Sequence, residues 1–206
     1  MRSVWLALAA LTAAGLRCAA DAPPAPSAAG LPVANAAPGA DAPLRAAYTA
    51  TGELNFPQHY REWIFLSAGL DMSYREDAPA GHSVFDNVFA EPRAYREFVR
   101  TGTWPDGTLL VLESRGATER GSINRRGKFQ NGDLIGIEVH AKDTRRFAGG
   151  WAFFAFQGRA AATPIARSAA CYACHLQHGA VDTTFVQFYP TLLEIARAKG
   201  TLLPER

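Results

Sequence analysis

Trp151-Ala-Phe-Phe-Ala-Phe156, with Gly149-Gly150 before it and Gly158 after it, is the stretch on which the fold turns. Aromatic side chains favour a pleated, half-buried surface, and flanking glycines bound the segment, so it reads as a β-strand. Upstream, Leu134 to Val139 predicts another strand, with Lys142-Asp143 starting a short turn. Gly116 to Gly127 is polar and basic and is expected to be a mobile hairpin loop. Trp104-Pro-Asp-Gly107 predicts a turn leading into a strand at Leu109 to Leu112. Before it, Glu91-Pro92 opens a helix to about Arg100, which Gly102 ends; Tyr95, Phe98 and Val99 share one face of it. Val84 to Phe89 and Trp63 to Ser67 predict two earlier strands. Downstream of Pro164 the pattern turns helical: Ser168 is expected to cap a turn holding Cys171 and Cys174, and Thr191 to Ala198 forms a last helix before Gly200. The expectation is an α+β fold, a mostly antiparallel sheet of about five strands with flanking helices and a C-terminal helix carrying the cysteines.

The chain has 206 residues, 48% hydrophobic, 11% aromatic and 19% charged, enough for one sizeable core. That composition excludes wholesale disorder, a collagen-like repeat and a disulfide-dense miniprotein. Residues 1–20 combine Arg2, an apolar run from Val4 to Leu16 and small residues before Ala20, the pattern of a cleaved export signal. The apolar run is shorter than the roughly 20 residues a membrane span needs. Arg17 directly before Cys18 disfavours lipid attachment at that cysteine, so Cys18 is expected to leave with the signal. Lys and Arg number 21 against 19 Asp and Glu; losing Arg2 and Arg17 leaves 19 against 19. A neutral surface gives no general electrostatic reason to bind nucleic acid or anionic lipid. Residues 21–45, rich in Ala and Pro, read as a flexible linker, and 46–206 as a single domain.

Cys171-Tyr-Ala-Cys174-His175 is the C-x-x-C-H attachment signature of a c-type haem. Two thiols three positions apart on a helical turn can add across the two vinyl groups of one haem, and the adjacent imidazole then sits beneath the iron. An export signal strengthens this reading, because covalent haem attachment takes place in the bacterial periplasm. Three alternatives use the same residues: a Cys171–Cys174 disulfide, a redox dithiol, and a zinc site formed by Cys171, Cys174, His175 and His178.

A second axial ligand would separate an electron carrier from a ligand-binding haem. Only 31 residues follow His175 and none is Met; the sole Met beyond the signal is Met72. His178 lies three residues past His175 on the same side. His59, His82 and His140 remain as lone candidates. The economical reading is an open sixth position, walled by sheet aromatics, that takes a small diatomic or nitrogenous ligand.

Further strings carry a resemblance: Gly127-Lys-Phe-Gln130, Gly136-Ile-Glu-Val-His-Ala-Lys-Asp143, Arg146-Phe147, Gly149 to Phe156, the haem motif, and His178-Gly-Ala-Val-Asp-Thr-Thr-Phe-Val-Gln-Phe-Tyr-Pro190. From about Phe56 to Leu193 the chain resembles the cytochrome P-460 family, which includes the cytochromes c′-beta. The resemblance implies a mostly antiparallel β fold with flanking helices, a homodimer, and one covalent haem c with His175 as proximal iron ligand. It implies one of two activities: oxidation of hydroxylamine and nitric oxide with a periplasmic electron-transfer partner, or reversible binding of nitric oxide and carbon monoxide. A lysine crosslinked to the haem ring marks the oxidising members. The chain has no Lys before Lys128; Arg93, Arg96 and Arg100 occupy the region where that lysine is sought, and Lys128 and Lys142 sit in turn-like contexts. The expectation is therefore the uncrosslinked, gas-binding kind, with hydroxylamine oxidation as the alternative and a six-coordinate electron carrier as the second.

Phe65, Phe85, Phe89, Phe153 and Phe154 are expected to line an apolar distal pocket. Glu113 and Glu138 lie in apolar strand contexts where an unpaired carboxylate is costly, and Glu113 is the candidate distal proton relay, with a surface pair to Arg115 as the simpler role. Asp182 and Thr183 are expected to cap the turn after the haem helix.

Overall fold

The computed structural model describes residues 46–72 and 83–204. The expected signal and linker, and His82 among the candidate ligands, lie outside the described residues. The fold is α+β. Five strands, β1 (Ile64–Leu70), β2 (Val84–Ala90), β3 (Leu109–Thr118), β4 (Phe129–Lys142) and β5 (Trp151–Phe156), form one antiparallel sheet in sequence order. Three helices accompany it: α1 (Pro92–Thr101), α2 (Ala170–His178) and α3 (Pro190–Lys199). The predicted strand at 151–156 has the bounds its aromatic run suggested.

The helix ends follow local chemistry. Pro92 opens α1, and the Glu91 side chain accepts hydrogen bonds from the Arg93 and Ala94 N–H groups, both 2.9 Å, satisfying two of the orphan amides. Gly102 ends it at φ 79, a conformation that costs a glycine little. Ser168 does not cap α2; Ala169 stands at that position and makes no side-chain bond.

Strand alternation divides the side chains between two cores. Phe65, Phe89, Val111, Val139 and Phe154 pair across all five strands in one row. That face packs against Leu54, Phe56 and Tyr60 from the segment preceding β1. Ala90, Leu110, His140 and Phe153 form the adjacent row, on the opposite face. There α1, α3 and the segment after α2 bury Phe98, Trp104, Val186, Tyr189 and Leu192 against the sheet. A bulge between Phe65 and Ser67 turns Leu66 into this second core.

The expected hairpin loop at 116–127 is strand only over its first three residues, and the strands on either side run further than expected. β3 runs on to Thr118 and β4 begins at Phe129, so Ala117 pairs with Gln130 and Thr118 with Phe129. This part of the ladder is held by backbone bonds, and Asn87 and Gln130 lock it further with two reciprocal amide bonds of 2.9 Å.

Candidate functional site

On the helix-bearing face of the sheet lies a cleft of about 950 Å³ out to its open mouth. Its floor is built by strand register: Ser67, Val88, Leu112 and Glu138 pair in one row, with Leu110, His140 and Phe153 in the next. Helix α2 contributes Cys171 and His175, and the chain after it contributes Thr184, Phe185 and Phe188. The cleft is mainly apolar with a few polar groups, as small-molecule and cofactor sites commonly are.

His175 is held closely. Its Nδ1 lies 2.8 Å from the Thr183 carbonyl oxygen. A carbonyl can only accept, so Nδ1 carries the proton and Nε2 keeps its lone pair, the tautomer an iron ligand requires. The ring packs between Phe185 at 4.2 Å and Phe153 at 4.6 Å, centroid to centroid. Burial pushes the imidazole pKa down, the Thr183 bond opposing in part, which favours the neutral ring. Burial likewise raises the Cys171 thiol pKa.

These features fit a haem bound through C-x-x-C-H. One cysteine of the motif and the histidine share the cleft wall, the histidine has a fixed donor tautomer, and α2 spans an apolar space without burying any residue fully. Cys171 and Cys174 are both free thiols, not a disulfide. Among the described residues no group of three or more His, Cys, Asp or Glu side chains comes together to hold a metal ion, and His178 faces a separate surface groove. The zinc and disulfide alternatives therefore find no support in the arrangement.

Of the residues expected in the distal pocket, the structure brings only Phe153 to the cleft. Phe65, Phe89 and Phe154 belong to the row on the other face, and Phe85, two positions from Asn87 and four from Phe89, shares their parity. The physical reason is the two-residue period of a strand: neighbours such as Phe153 and Phe154 must point to opposite faces. Glu113 is also on the far side, only 1% exposed. It accepts hydrogen bonds from Tyr60 Oη, from Arg61 Nη2 and, at 2.6 Å, from Arg115 Nε. It is thus neither a distal relay nor half of a surface pair, but the centre of a buried cluster.

A carboxylate that does line the cleft is Glu138. It reaches solvent through the cleft, yet the protein around it withdraws enough water to raise its pKa above the usual glutamate range, and nearby Asp86 adds to the rise. Asp86 also lines the cleft and accepts a hydrogen bond from Ser114 Oγ.

The candidate sixth ligands separate as well. His59 is exposed beside Glu62, 3.3 Å away, and does not line the cleft. His140 does, but its Nε2 is engaged by Thr183 Oγ1 at 3.3 Å. Met72 reaches the rim, its thioether folded closely over Gly69. Asp182 and Thr183 lie in the expected turn after the haem helix, with Asp182 at φ 54.

No curated protein matches the chain. Residues 57–186, well over half of it, match the family model described as Cytochrome P460. With the cleft, the oriented histidine and the two free thiols on one helix, the match makes this chain a member of the cytochrome P460 family and a haem-binding, iron-containing cytochrome.

Proposed function

We propose that the chain is an exported cytochrome with one covalent haem c, held by Cys171 and Cys174, ligated by His175, and open on its other axial side to nitric oxide or carbon monoxide. The observation that carries this reading is the placement of the lysines. The whole chain has three, Lys128, Lys142 and Lys199, and none lines the cleft. Lys128 Nζ reaches Ser83 and Asp71; Lys142 Nζ donates to the Trp104 carbonyl at 2.7 Å and to Asp182 at 2.9 Å. Lys199, at the end of α3, packs against Gly102. A haem crosslink through an amine thus has no donor at hand, and the resemblance ties hydroxylamine oxidation to that crosslink. Once bound, the haem supplies an iron with one exchangeable axial position.

The chain's own residues do the rest. Val88, Leu110 and Leu112 make the floor of the cleft apolar, which suits a small neutral ligand. The Thr183 carbonyl keeps His175 in its donor tautomer. The pattern of residues 1–20 supports export, and the proposed attachment chemistry requires it.

Expression with export and haem-attachment machinery tests this reading. Intact mass should equal the chain without its first 20 residues plus one haem. The ferrous spectrum should be five-coordinate and high-spin, should change on adding carbon monoxide or nitric oxide, and should be the same in Met72→Leu. A red-shifted ferrous Soret band, marking a crosslink, would overturn the reading. So would a low-spin spectrum that Met72→Leu abolishes.

Glu138 favours hydroxylamine oxidation as a second reading, because that reaction releases protons with its electrons and a raised-pKa carboxyl in the cleft can accept them. If the protein turns over hydroxylamine with an artificial electron acceptor, Glu138→Gln should lower kcat by about 100-fold or more while carbon monoxide binding persists. An unchanged kcat would remove Glu138 from that role.

A further inference from the structure

Thr183 is bonded twice, once by its carbonyl to His175 and once by its hydroxyl to His140. It sits in a turn, Val181 to Thr184, closed by the Thr184 N–H donating to the Val181 carbonyl at 3.0 Å. Asp182 lies there at φ 54, in the left-handed region that Asp tolerates better than most residues. Contacts from distant parts of the chain pin this turn. Lys142 Nζ donates to Asp182 at 2.9 Å. Trp104 Nε1 donates to Thr184 Oγ1 at 2.9 Å, and that hydroxyl donates to the Val181 carbonyl at 2.7 Å. His140, 8% exposed, stacks on Phe153 at 4.1 Å with 11° between the rings, and packs on Trp151 at 4.3 Å. Its ring has no room to swing, so the partner it offers Thr183 is fixed in place.

We propose that His140 is a positioning residue for the proximal ligand, acting through Thr183 to set how firmly His175 holds iron. This rests on the proposed ligation by His175. An Nδ1–H donated to a well-placed carbonyl makes Nε2 a stronger donor, and outer-shell partners of this kind commonly change metal affinity by roughly 10–100-fold. Carbonyl and hydroxyl belong to one residue, so releasing the hydroxyl from His140 lets the carbonyl drift from Nδ1. The iron–imidazole bond then weakens. The consequence is felt most when nitric oxide binds opposite, because that ligand weakens the bond trans to itself.

The test uses the haem-loaded protein and compares His140→Phe, Thr183→Val, Thr183→Ser and the double variant His140→Phe/Thr183→Val. The first readout is the iron–imidazole stretching band of the ferrous protein; the second is the fraction of the nitric oxide complex that has lost its imidazole, read by electron paramagnetic resonance. His140→Phe and Thr183→Val should each lower the band and raise the equilibrium for imidazole loss roughly tenfold. Thr183→Ser, which keeps the hydroxyl, should match the wild type. The double variant should go no further than either single, since both remove the same bond. Unchanged bands in both single variants, or fully additive shifts, would overturn the proposal. If His140→Phe does not fold, the contrast between Thr183→Val and Thr183→Ser decides the matter alone. A wild-type ferrous protein with no iron–imidazole band at all would instead overturn the ligation on which the proposal stands.

Discussion

His175→Gly is expected to abolish the five-coordinate, histidine-ligated ferrous spectrum while leaving the haem attached through its thioethers. The ring fills a space walled by Phe153, Phe185 and His140, at centroid distances of 4.6, 4.2 and 5.1 Å. Removing it leaves an apolar hole whose shape and single acceptor, the Thr183 carbonyl, suit free imidazole. Adding imidazole should therefore restore the spectrum. The same variant orphans the Thr183 carbonyl at a cost of about 1–3 kcal/mol, visible in urea unfolding and also reversed by imidazole. Retention of the wild-type spectrum in His175→Gly would show that another residue ligates the iron.

The second large effect falls on the far side of the sheet. Glu113→Ala should destabilise the fold by roughly 3–5 kcal/mol, because it leaves the largely buried Arg115 and the Tyr60 hydroxyl without their shared acceptor. The melting temperature should fall by about 10 °C. Glu113→Gln, which keeps the shape, separates the role of charge. Burial pushes the Glu113 pKa up, but the bonds from Arg115 and Tyr60 and the Arg61 charge outweigh it, so the folded value lies below the ordinary 4.5. An acid with a depressed folded pKa lends stability that is fully present above the unfolded value and is lost as pH falls through the folded one. Wild-type stability should therefore drop with acidification below pH 4.5, and Glu113→Gln should flatten that slope. Nitric oxide binding should persist in Glu113→Gln at neutral pH, since the cluster lies across the sheet from the cleft; its loss would contradict the assignment of faces.

The two glutamates show where sequence reading stops. Glu113 and Glu138 each interrupt an apolar run, and each raises the question of what a carboxylate does there. Their roles differ because β3 and β4 pair Glu113 with Ile137, which places Glu138, one residue on, on the opposite face. Alternation within a strand is legible from the sequence and separates Phe153 from Phe154. Which parity of β1, β2 and β3 shares the face of Phe153 depends on register, and register is a tertiary fact. The outer part of the β3–β4 hairpin was illegible for another reason. Gly116, Gly132 and Asp133 give no hydrophobic alternation, and its strands are held by the backbone ladder and the Asn87–Gln130 amides.

By itself the sequence determined the strand at 151–156, the Pro-opened and Gly-closed helix, the haem motif and the family, because each depends on residues close together along the chain. The tertiary structure alone decided which side chains face the cleft, that every lysine stays out of it, and that His140 meets Thr183 across 43 positions. Those contacts come from strand register and from the turn that brings the chain back beside β4, and no local pattern encodes either.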